Sequence, residues 1–117
     1  MEYKDVWILG EQESGKIKDV SYELLKRGKD LAEKRAVKLV ALMLGNGLSD
    51  EQLQNLIHYG ADKVIAVNHE IFTDFLPDPQ INTVTHLVNK YKPEIMIASA
   101  TTSGRTIAPA VAINCHA

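Results

Sequence analysis

The feature that most constrains this chain is a repeated alternation. Short, almost wholly apolar runs are separated by stretches whose apolar residues return at helical spacing. Val6-Trp7-Ile8-Leu9, Val37 to Leu44, Lys63 to Val67 and Ile95 to Ala98 are the runs, and each lacks the polar alternate face of a half-exposed strand. Between the first two, Leu24, Leu25, Gly28, Leu31, Ala32 and Ala36 fall on one face of a helix read from Ser21, with Glu23, Lys26, Lys29, Asp30, Glu33 and Lys34 opposite. Ser21 is read as its cap.

The second run ends at Gly45-Asn46-Gly47, a sequence suited to positive backbone dihedrals. Ser49-Asp50-Glu51-Gln52 then has the outer residues of a capping box, Leu53, Leu56 and Ile57 make an apolar stripe, and Gly60 ends the helix. After the third run, Asn68 to Asp78 reads as irregular and is closed by Pro77 and Pro79. A third helix is placed from about Asn82, with Val84, Leu87, Val88 and Tyr91 on one face, and Pro93 stops it. Strands alternating with helices specify an α/β fold: an open, mainly parallel sheet with helices on both faces, a Rossmann-like three-layer sandwich. Periodicity leaves the strand order open.

At 117 residues the chain suits a single domain, read over 1–117. The charge of −2 is spread among interspersed acids and bases, which argues against nucleic acid and an anionic lipid surface as partners. No apolar run approaches the ~20 residues of a membrane helix, so no membrane insertion is expected. Cys115 alone cannot form an internal disulfide, and Met1-Glu2-Tyr3-Lys4-Asp5 has no apolar signal core; both point to a cytoplasmic compartment.

Ligands of open parallel sheets bind outside the carboxyl ends of the strands. The loop after the fourth run therefore carries the candidate site: Thr101, Thr102, Ser103, Gly104 and Arg105. Their hydroxyls, backbone N–H groups and guanidinium suit a phosphate or carboxylate. The loop has neither Walker nor dinucleotide glycine spacing. The same residues also suit a structural role, with Thr and Ser satisfying a buried strand end and Arg105 pairing with a carboxylate. Both readings stay open. No catalytic or metal constellation is read: His58, His69 and His86 are isolated and suit exposed or capping positions, and Cys115-His116 lack ligand spacing. Glu11 and Glu13 follow the first strand and near a crevice could contact a ligand's hydroxyls, but a solvated turn is the preferred reading; Trp7 is read as sheet core rather than a stacking platform.

Four segments together resemble a known family. They are Tyr3-Lys4-Asp5-Val6-Trp7-Ile8 with Glu11-Gln12, Tyr59-Gly60-Ala61-Asp62-Lys63-Val64, Tyr91-Lys92-Pro93-Glu94-Ile95, and Ala100 to Arg105 with Ala108-Pro109. In this order they resemble the amino-terminal domain of electron transfer flavoprotein alpha subunits. That resemblance implies a fold like the adenine nucleotide alpha hydrolases and a heterodimer with a beta subunit. It also implies an electron carrier serving flavin dehydrogenases rather than an enzyme. FAD would be bound in the intact protein by a carboxy-terminal domain absent from this chain, so no cofactor is expected here. In the family this domain mainly holds the beta subunit, and the alpha copy does not use the adenine nucleotide site. The alternative is a free-standing adenine-nucleotide-binding domain similar to universal stress proteins, with Thr101 to Arg105 taking the phosphates.

Overall fold

The computed structural model describes residues 4–13, 15–73 and 77–99. The apolar runs become a parallel sheet of β1 (Val6–Leu9), β4 (Leu39–Gly45), β5 (Lys63–Asn68) and β6 (Ile95–Ile97), in the order β5-β4-β1-β6. Between the first two lies a small antiparallel hairpin, β2 (Gln12–Glu13) with β3 (Lys16–Ile17), where the sequence reads as a plain turn. The register sets Val6 beside both Leu39 and Ile95, and Val40 beside Lys63. Every residue of β1 and β4 is buried, as strands covered on both faces require. In β5, at the edge, Lys63, Ala66 and Asn68 are exposed.

Successive side chains of a strand point to opposite faces, and each face makes its own core. Val6, Ile8, Leu39, Ala41 and Met43 pack with Leu24 and Leu25 of helix α1 (Asp19–Arg35) and with Leu56 of helix α2 (Asp50–His58). Trp7, Leu9, Val40, Leu42 and Leu44 pack with Phe72 and with Val84 of helix α3 (Pro77–Tyr91). Helices therefore cover both faces, as the alternation predicts, and Trp7 is core. Helix α1 lies tight on the sheet because Gly28 has no side chain: a Cβ there would stand 2.7 Å from Leu39 Cδ1 and 3.0 Å from Ile8 Cγ2.

Three sequence expectations are corrected. Helix α1 begins at Asp19, and Lys18, in extended conformation, is its uncapped boundary residue. Ser21 is a turn inside, fully buried, and its hydroxyl is used elsewhere. Helix α3 begins at Pro77, not near Asn82. Pro77 and Pro79 stand in its first turn, where a missing N–H forfeits no helical bond. Ile57 leaves the stripe of α2 and is 40% exposed, while Leu56 is wholly buried.

The Ser49 cap forms: its hydroxyl accepts the Gln52 N–H at 3.2 Å. Gln52 does not complete the box by returning to Ser49. Its Oε1 accepts the N–H of Ile17 in the hairpin at 3.1 Å. Leu25→Ala should lower stability by about 2–5 kcal/mol, and Ile57→Ala by no more than about 0.5 kcal/mol. Urea denaturation of the two variants checks the burial directly.

Candidate functional site

The strand order locates the crevice. From β1 the chain moves to β4 and then outward to β5, and it returns to the other flank of β1 as β6. The topological switch point thus lies between β1 and β6, and at their carboxyl ends stand Gly10-Glu11 and Ala98-Ser99. Glu11 crosses the gap. Its Oε2 accepts the Ser99 hydroxyl proton, and its Oε1 lies 3.7 Å from Lys18 Nζ. Its side chain is only 12% exposed, which corrects the expectation of a solvated turn; Glu13 is exposed as read.

The backbone of Glu11 is held as firmly. Its N–H donates to Ser21 Oγ at 2.7 Å, and Ser21 donates back to the Glu11 carbonyl at 3.0 Å. The same carbonyl accepts the Lys18 N–H at 2.9 Å. Ser21 is thus a fastener between β1 and α1, and this is why its hydroxyl is not available as a cap. The preceding Gly10 has no room for a side chain, since a Cβ would meet Met43 Sδ at 2.0 Å.

On the β4 side the chain covers its own edge. Gly15, at φ 81°, brings the hairpin tip against the Gly45–Gly47 turn, where a Cβ would stand 2.9 Å from the carbonyl oxygens of Asn46 and Gly47. Gln12 ties the hairpin from inside: its Oε1 accepts the Gly15 N–H at 2.8 Å and its Nε2 donates to the Phe72 carbonyl at 3.2 Å. Beyond it, Asn68 bonds both backbone groups of Leu48 at 3.0 Å. Gly15 and Gln12 thus cover one side of the glycine-containing turn, while Asn46 and Gly47 stay exposed.

Thr101, Thr102, Ser103, Gly104 and Arg105 lie outside the described residues, as do Cys115 and His116. The strand that leads to the loop, ending beside Ser99 and Glu11, is described. His69 Nδ1 accepts the Ile71 N–H at 3.1 Å and caps the short 3₁₀ turn Glu70–Phe72, while His58 and His86 are exposed. Among the described residues no group of His, Cys, Asp and Glu is gathered for a metal ion. Burial, followed by neighbouring Tyr59, pushes the Tyr22 phenol above its ordinary value and keeps it protonated. The Glu11–Ser99 contact joins residues 88 positions apart, and no local pattern marks it.

A search against family models matches the electron transfer flavoprotein domain over residues 6–117. The chain belongs to the electron transfer flavoprotein family. It is 40% identical over 111 residues to an electron transfer flavoprotein subunit alpha of Clostridium acetobutylicum, covering 95% of this chain and 33% of that one. It is 41% identical over 114 residues to protein FixB of Azorhizobium caulinodans, covering 94% and 30%. The acryloyl-CoA reductase electron transfer subunit beta of Anaerotignum propionicum is 34% identical over 114 residues, covering 97% and 31%. The chain thus spans about a third of the length of these relatives. Among solved structures, a universal stress protein from Archaeoglobus fulgidus superposes with a TM-score of 0.54 at 13% identity, over 98% of this chain and 92% of that one. At that identity the likeness is one of fold.

Ser21→Ala should remove both bonds to Glu11 and leave a part-buried amide without its acceptor, lowering stability by about 1–3 kcal/mol. Thermal melting measures the loss. Hydrogen exchange should locate it, with the Glu11 amide exchanging faster than those in the middle of β4.

Proposed function

We propose that this chain is the amino-terminal domain of the alpha subunit of an electron transfer flavoprotein, where it binds the beta subunit and helps support the flavin domain without chemistry of its own. The family match over residues 6–117, on relatives about three times as long, carries this reading. The intact protein would carry electrons from flavin dehydrogenases to their acceptors, in the cytoplasm. Among the described residues no helix is long and apolar enough to cross a membrane.

The crevice supports a scaffold rather than a cofactor pocket. FAD supplies a redox-active isoalloxazine, but the described residues do not fit its pyrophosphate. Glu11 stands at the switch point with its carboxylate engaged by Ser99 and Lys18, so it offers a pyrophosphate no donor, and Gly15 packs against the carbonyl oxygens of Asn46 and Gly47 in the turn after β4. The flavin is assigned to a carboxy-terminal domain of the intact subunit. The same features disfavour the alternative of a free-standing adenine-nucleotide binder, whose phosphates would have to share the crevice with Glu11. The Thr101 to Arg105 loop begins two residues after Ser99, and its role in this reading is to brace the strand end or the subunit contact.

The test is the polypeptide isolated from its source cell. A species about three times heavier than the 13.0 kDa of this chain, carrying flavin absorbance and co-purifying with a beta subunit, is expected. A flavin-free species of 13.0 kDa that binds AMP or ATP would overturn the reading. In the intact protein, Arg105→Ala should weaken beta-subunit association or lower the melting temperature, with no effect on nucleotide titrations. Unchanged assembly and melting, together with lost nucleotide affinity, would instead assign the loop to phosphate binding.

A further inference from the structure

The opposite rim of the sheet, where the strands begin, is chemically unlike the crevice. There Lys4 donates its N–H to the Lys92 carbonyl at 3.0 Å, Val6 to that of Lys38 at 3.0 Å, and Asp62 to that of Leu39 at 2.8 Å. These bonds set the starts of all the parallel strands side by side. Helices α1 and α3 end at the same rim, with Lys34 and Arg35 in the last turn of one and Lys90 in that of the other.

Three carboxylates of this rim have partners within the chain. Asp5 Oδ1 accepts the Lys38 N–H at 3.2 Å, Asp62 Oδ2 accepts the Leu39 N–H at 2.8 Å, and Glu94 pairs with Arg35. Lysine side chains are placed differently. Lys63 and Lys90 are exposed, and their Nζ atoms lie 5.5 and 5.2 Å from the centroid of the Tyr91 ring. That ring is 45% exposed although it rests on buried Trp7, with centroids 6.1 Å apart. A large aromatic is therefore held in place at the surface near two ammonium groups, with little side-chain freedom left to lose on binding.

We propose that this rim docks an acidic protein segment, with Tyr91 as its aromatic anchor and Lys63 and Lys90 as the pair that receives its carboxylates. Charge complementarity selects the occupant. Lys63 and Lys90 are exposed and close together about one aromatic ring, whereas Asp5, Asp62 and Glu94 each direct a carboxylate oxygen to a backbone N–H or to Arg35. Tyrosine is favoured at protein interfaces, where its ring takes apolar stems and its hydroxyl stays hydrated. A nucleic acid is a poorer match, because two lysines about one ring make no continuous row of cations to track a phosphate backbone. A bilayer is poorer still, since the helices meet this rim end-on and lay no apolar face along it. None of this depends on which subunit the chain pairs with.

The test uses the intact protein and a deca-glutamate peptide, coupled by a carbodiimide that joins carboxylates to lysines in contact. Cross-links should concentrate on Lys63 and Lys90 rather than on Lys26 and Lys29 of α1, and should fade at high salt. Lys63→Gln with Lys90→Gln, and separately Tyr91→Ala, should each weaken peptide binding by about threefold or more, while Tyr91→Phe retains it. The lysine variant keeps the ring and its packing on Trp7, so its result stands even if Tyr91→Ala fails to fold. Cross-links spread evenly over the surface lysines, or unchanged affinity in the lysine variant, would overturn the proposal. Tighter binding at the same lysines by a single-stranded oligonucleotide or by phosphatidylserine vesicles would overturn it in favour of those partners.

Discussion

Everything in this domain depends on the burial of β1 and β4 on both faces. A strand with no solvent-facing side chain cannot stand at an edge or in a one-sided sheet, so the two must lie at the centre with a helical layer on each side. The closeness of the layers follows. Gly28 lets α1 approach Ile8 and Leu39, and Val84 of α3 closes the other face over Trp7 and Leu42. With β1 and β4 adjacent in the middle, β5 and β6 take the flanks, and the reversal of chain direction falls beside β1.

That arrangement also divides the molecule by charge. The helices run antiparallel to the strands, so their first turns gather at the carboxyl edge and their last turns at the amino edge. Asp19, Asp50, Glu51 and Asp78 stand in first turns, where acids favour the helix dipole; Lys34, Arg35 and Lys90 stand in last turns, where bases do. At the crevice edge these acids stand with Lys16 and Lys18, and Glu11 at its centre is engaged by Lys18 and Ser99. The same helix-stabilising choices place Lys34, Arg35 and Lys90 at the amino edge, so one local rule sets different charges at the two ends.

Much of the fold was legible because its signals are local. The runs at Val6 to Leu9 and at Leu39 to Leu44 have no polar face, and Ser49 caps α2 with a bond that needs only residues within one turn. Boundaries failed where a side chain had a distant claim on it. Ser21 looks like a cap in sequence, yet its hydroxyl is engaged by Glu11, ten residues earlier. Gln52 looks like the far half of a capping box, yet it serves Ile17. Pro77 and Pro79 look like a terminator but open α3, because proline in a first turn gives up nothing. The family was legible in the segments around Tyr3, Tyr59, Tyr91 and Ala100, since spaced motifs survive without any knowledge of their contacts.

The sequence by itself determined the α/β class, the alternation of strands and helices and the family, since these rest on periodicity and on motifs read within a few residues of one another. Tertiary structure alone decided the strand order, the position of the switch point, the closure of the hairpin over the Gly45–Gly47 turn and the bridging of Glu11 to Ser99. The physical reason is separation: Gln12 reaches Phe72 and Glu11 reaches Ser99 across most of the chain, and such contacts exist only once the sheet has brought the strand ends together.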